Sequence, residues 1–170
     1  MRTSLIAVVL FLAQPLQAQK LQDYSGTWRY DPAKRESKIE FVKDPPKDAP
    51  VLPAPPPPPR NVTLEQIRQS GNVLEISGGE VGANTVFRID LSGKQVSDPL
   101  GDMPGIVRIS TSHWDGGKLV TEYWMKRNGQ VLVHGFSTRN INSDGQQVVN
   151  TVADSARFHI VYRLFLEKAD

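Results

Sequence analysis

The sequence predicts an all-β fold: an antiparallel up-and-down β-barrel of about eight to ten strands, carrying a proline-rich loop towards its N-terminus. Three observations lead there. Apolar, aromatic and β-branched residues gather in short runs, the composition that packs well on a pleated surface. The runs are separated by Asn128-Gly129, Asp144-Gly145 and Asp115-Gly116-Gly117. Such pairs supply the positive φ of tight hairpin turns and make sequence neighbours antiparallel partners. No segment after Pro59 shows an apolar stripe at helical spacing.

In chain order, Arg2 precedes the apolar run Leu5 to Ala13 and the end Leu16-Gln17-Ala18. That order predicts an export signal over residues 1–18, a mature chain from Gln19, and a periplasmic or secreted location. The run is too short for a bilayer core that needs ~20 helical residues, so the chain is not expected to span a membrane. The 170 residues include no Cys, which excludes disulfides, thiolate nucleophiles, cysteine-ligated metals and lipidation at the cleavage site. Lys+Arg 20 against Asp+Glu 18 leaves +2, with no basic excess for nucleic acid.

A first strand is expected at Gly26 to Tyr30, followed by a short helical turn around Pro32 to Lys38 with Asp31 as its cap. Residues 44–59 hold nine of the 13 prolines and end in Pro55 to Pro59. That run cannot donate ladder hydrogen bonds and reads as an exposed polyproline II loop. Strands are then expected at Val62 to Arg68, Val73 to Ser77, Thr85 to Leu91, Gly105 to Trp114, Lys118 to Lys126, Val131 to Asn140, Gln146 to Asp154 and Phe158 to Glu167. Phe158, Ile160, Tyr162, Leu164 and Leu166 share one face of the last strand, and Leu119, Thr121, Tyr123 and Met125 share one face of another. Apolar residues also occupy the opposite faces, as a partly covered barrel requires. A single domain over residues 19–170 follows.

The stretch Ser25-Gly26-Thr27-Trp28, followed by Asp31-Pro32-Ala33-Lys34, resembles the start of lipocalin-like exported bacterial proteins of the calycin type. The proline-rich loop, Thr63-Leu64-Glu65-Gln66 and the hairpin Trp114 to Leu119 fit the same pattern. The resemblance implies a lipocalin-like barrel with Gly26 and Trp28 at its base, and a basic residue of the last strand over the indole. Arg163 is the candidate for that role, with Arg157 second. It implies small-molecule binding and no established activity.

Trp114, Tyr123, Trp124, His134 and Phe136 lie among small or polar positions, Ser110, Thr111, Ser112, Thr121, Gly135, Ser137 and Thr138. Aromatics around small residues are the make-up of a ligand pocket. They are therefore the candidate ligand-binding residues. No phosphate loop, His-Glu-x-x-His pair or complete nucleophile elbow is present. His113, His134 and His159 fall on separate strands without metal-ligand spacing, and Asp98, Asp102 and Glu80 read as solvated loop acids. No catalytic residue, metal or cofactor is expected. The leading expectation is a non-catalytic exported protein with a small hydrophobic ligand. The alternatives are an envelope interaction protein using the proline-rich segment, and a barrel enzyme with His134 or His113 as base.

Overall fold

The computed structural model describes residues 22–50, 63–79 and 85–169. The expected export signal (1–18), the proline run Pro55 to Pro59 and Glu80 lie outside the described residues. The strands are β1 (Gly26–Tyr30), β2 (Glu36–Phe41), β3 (Thr63–Ser70), β4 (Val73–Gly78), β5 (Val86–Asp90), β6 (Val96–Pro99), β7 (Val107–Asp115), β8 (Lys118–Arg127), β9 (Gln130–Ile141), β10 (Gln147–Ser155) and β11 (Phe158–Lys168). They form one antiparallel sheet in the order β5-β4-β3-β1-β11-β10-β9-β8-β7-β6, with β2 paired to β11 beyond the reach of β1. This is a nearly closed barrel of ten strands.

Turn chemistry sets the hairpins. Asn128 and Gly129 both adopt positive φ, 50° and 81°, and join β8 to β9. The β8–β9 register shifts at Met125/Lys126, where Leu132 is the extra residue, so Leu132 and Val133 are both buried instead of alternating.

First and last strands close on each other, with Trp28 opposite Lys168 and Tyr30 opposite Leu166. The seam falls mid-chain, between β5 and β6. There the buried Asp98 accepts from the Arg88 backbone N–H (2.9 Å) and from Arg88 Nε (2.5 Å), so a side chain bridges the two strands. β6 and the buried Asp98 correct the expectation of a solvated loop acid. Strand β2 corrects the expected helical turn: only Pro32–Lys34 form a 3-10 turn before the chain becomes extended.

The core has two apolar ends. One gathers Tyr24, Trp28, Tyr30, Leu74, Leu119 and Leu166. The other gathers Leu100, Ile106, Tyr123, Leu132, Val133 and Ala153. A network ties the first end across the barrel. Trp28 Nε1 donates to Tyr24 O (2.8 Å), Tyr24 Oη donates to Arg139 O (2.8 Å), and Arg139 Nη1 bonds Glu65 Oε1 (2.8 Å). Glu65 on β3 and Arg139 on β9 are not on neighbouring strands, so their ion pair crosses the lumen.

Candidate functional site

Strand alternation carries a row of hydroxyls around the inner wall. Tyr162, Thr151, Ser137, Thr121 and Ser112 are successive partners across β11, β10, β9, β8 and β7. Thr151 bonds Ser137 (3.2 Å), and Ser112 bonds Thr121 (2.9 Å). The four short members of this row, Thr151, Ser137, Thr121 and Ser112, lie between bulkier rows, with Tyr123 in one neighbouring row and Leu119, Trp114 and Arg139 in the other.

Arg108 on β7 shares this inner face and is only 5% exposed. Its guanidinium lies over the rings of Phe87 (4.5 Å) and Tyr123 (5.0 Å). Aromatic faces attract a cation, but they do not use up its N–H donors. Nη1 donates to Ser110 Oγ at 3.1 Å, the one hydrogen bond of this side chain among the described residues. The register partner of Arg108 is Asp98, whose carboxylate is taken by Arg88 at the seam. Arg139 has Glu65; Arg108 has no carboxylate within ion-pair distance among the described residues. Burial lowers its pKa from the usual value, opposed by Tyr123, Asp98 and Tyr162. Burial likewise pushes the Tyr123 phenol well up, with Tyr162 adding and Arg108 opposing. At neutral pH the phenol is therefore a neutral hydroxyl beside a charged guanidinium.

The five residues singled out as a lumen wall divide between two faces. Tyr123 is buried and faces inward, lying so close over Gly135 that a Cβ there would be 2.6 Å from its Cζ and Oη. Trp114 is half-buried, stacks on Tyr24 with ring centroids 6.2 Å apart, and keeps its indole N–H buried without a partner. Trp124, His134 and Phe136 cluster on the outer wall. Trp124 stacks on His134 (5.2 Å), Phe136 meets His134 edge-on (5.0 Å), and His134 Nε2 lies 2.7 Å from Glu122 Oε1. The reason is parity: Trp124 follows Tyr123 in an unbroken strand, so the two must point to opposite faces. The catalytic alternative placed His134 or His113 as a base acting on a lumen substrate; His134 is on the outer wall and His113 is exposed.

Trp28 is buried, with Gly26 beside Lys168. The basic group over its indole is Lys168, 6.0 Å from the ring centroid, in place of the expected Arg163. Arg163 is on the outer face, where Nε donates to Asn150 Oδ1 (2.7 Å) and Nη1 lies 3.6 Å from Glu36 Oε2. The second candidate, Arg157, anchors the carbonyls of Ala49 and Pro50. His159 pairs with Asp154 at 2.6 Å. No group of metal-ligating side chains occurs among the described residues, and no described helix is long and apolar enough to cross a membrane.

An open groove of about 340 Å³ runs over β2, β11 and β10, lined by Glu36, Lys38, Asn150, Val152, Val161 and Arg163 among others. Most of its lining side chains are exposed, unlike the enclosed surroundings of Arg108. Arg108 was not among the residues the sequence singles out. The alternation Arg108, Ser110, Ser112, Trp114 was visible, but not that this polar face turns inward. Comparison with protein-family models and with curated proteins gives no match.

Proposed function

We propose that this chain is a non-catalytic, exported, lipocalin-like barrel that binds a small amphipathic molecule, with the anionic end of that molecule at Arg108. The observation that carries this reading is the buried Arg108 guanidinium, which has one hydroxyl partner and no carboxylate among the described residues. A buried cation is costly unless paired, and an arriving carboxylate supplies the missing partner in bidentate geometry. Ser110, already bonded to Arg108, supports the reading as a further polar contact for the bound group. Met103, Met125, Phe87, Phe158 and Ile160 pack against the apolar cluster at that end of the barrel, a surface suited to an alkyl or aromatic tail.

The test is a titration with a medium-chain carboxylate and with the alcohol of equal chain length, followed by tryptophan fluorescence. The expected result is saturable binding of the carboxylate at micromolar protein, and weaker binding of the alcohol. Arg108→Met should lose the carboxylate preference while remaining folded, because replacing a buried charge by an apolar side chain of similar length is tolerated. Arg163→Gln, on the outer wall, should bind as the parent does. Equal affinity for carboxylate and alcohol would remove the role of Arg108, and no saturable binding of either would remove the binding function.

A further inference from the structure

Strand β2 pairs with β11 along one edge and has no partner along the other among the described residues. All six of its residues are exposed. Two of them are large and apolar, Ile39 (47%) and Phe41 (79%), and Val42 (43%) follows directly. An uncovered strand edge beside exposed apolar side chains is a template for another strand.

The hydrogen-bond parity of that edge is readable. Val42 N donates to Arg157 O at 2.9 Å, which continues the β2–β11 ladder by one residue. Even-numbered residues therefore turn their backbone groups towards β11, and Ser37, Ile39 and Phe41 turn theirs to the free edge. An antiparallel copy of the same strand, related by a two-fold axis at Ile39, meets this pattern. Ile39 then pairs with Ile39, and Ser37 with Phe41, all through free-edge groups. In the same register Lys38 of each copy faces Glu40 of the other across a non-hydrogen-bonded pair, the closest side-chain approach in an antiparallel ladder. Lys38 and Glu40 already bridge within the strand, on the face opposite Ile39 and Phe41. The edge is thus self-complementary in hydrogen bonds, charge and apolar contact, as a symmetric interface requires.

We infer that β2 is a homodimerisation edge, joining two copies of this chain into one continuous sheet with Ile39 on the symmetry axis. The interface runs along the free edge of β2, and the inference does not rest on the ligand reading at Arg108.

Sedimentation of the purified chain over a concentration series tests this. A reversible monomer–dimer equilibrium is expected. Lys38→Glu and Glu40→Lys each place two like-charge pairs in the interface, and each should weaken dimerisation by about tenfold. Mixing the two single variants should restore association as a heterodimer, because one chain then carries an acid at both positions and the other a base at both. A chain with both changes, Lys38→Glu and Glu40→Lys together, should restore the homodimer. A chain monomeric throughout the series overturns the inference. So does a dimer indifferent to the single charge changes, or slow amide exchange at Ile39 in dilute monomer, which would mean that the edge is occupied by the chain's own residues.

Discussion

Replacing Glu65 by Gln would test whether the barrel wall is held from inside. Glu65 is 3% exposed and Arg139 9%, and their 2.8 Å contact joins β3 to β9 across the lumen. Gln keeps the shape of Glu65 but leaves the Arg139 guanidinium buried without a counter-charge. Breaking one side of a buried pair typically costs about 3–5 kcal/mol, against about 0–1 kcal/mol for an exposed pair. Total stability for a domain of this kind is about 5–15 kcal/mol, so the variant should lose a large share of it. Replacing both partners, Glu65→Leu with Arg139→Met, should recover most of that loss, because no unpaired charge remains. Urea unfolding of the parent, Glu65→Leu, Arg139→Met and the double variant gives the coupling energy directly. A loss below about 1 kcal/mol for Glu65→Gln would mean that water reaches the pair, and the cross-lumen bridge would not be a structural tie.

Other perturbations follow from the same interior. Gly135→Ala should cost about 1–3 kcal/mol, because the new methyl group overlaps the end of Tyr123; combining it with Tyr123→Leu should recover part of the loss in thermal denaturation. Asp98→Asn should cost about 1.5–3 kcal/mol by weakening charge-assisted bonds at the seam, and hydrogen exchange should accelerate at the Arg88 amide; an unchanged rate there would refute the bridging role. Burial raises the Tyr24 phenol from 10.0 to about 12, so its folded pKa lies above the unfolded one. Its contribution to stability is complete below about pH 10 and fades as pH rises towards 12. Melting temperature should therefore fall over that window, and less steeply in Tyr24→Phe, which has no proton to lose there. An identical slope in the two proteins would count against burial of this hydroxyl.

The hairpin segments were the legible part of the fold. From β7 to β11, Gly-containing turns and two-residue alternation locate each strand within a few residues, because both signals are local. Strand β2 was hidden by a competing local signal. Asp31 and Pro32 form a good helix start, and the Ile39/Phe41 alternation behind them is short and flanked by charge. Strand β6 was hidden because Ser97-Asp98-Pro99 has turn composition; its extended state depends on the pairing with β7 and on the bridge from Asp98 to Arg88. The site was less legible than the fold. Alternation separates Tyr123 from Trp124, yet which face looks inward depends on how the sheet curls, a property of all the strands together. Replacing the expected Arg163 by Lys168 over Trp28 has the same origin. Both are basic residues of β11, on opposite parities, and only the closing register with β1 chooses between them.

That closing register has a consequence for how the molecule comes into being. The strands that seal the barrel to each other are β1 and β11, so nearly the whole described chain lies between the two sides of that joint. A growing chain can form the β7–β8–β9–β10 meander as soon as those residues are available, since each hairpin closes a short loop. Joining Trp28 to Lys168 must wait for the final strand, and of all the strand pairings it closes the longest loop in sequence. Until then the hydrophobic sides of β1 and β3 have no lid. The mid-chain seam offers a way to reverse this order. Ala169 N already donates to Thr27 O at 2.8 Å, so the two ends of the described barrel sit side by side. A circular permutant linked there and opened within the exposed turn 92–95 would make β1–β11 a local hairpin, and would leave only the side-chain bridge of Asp98 to form last.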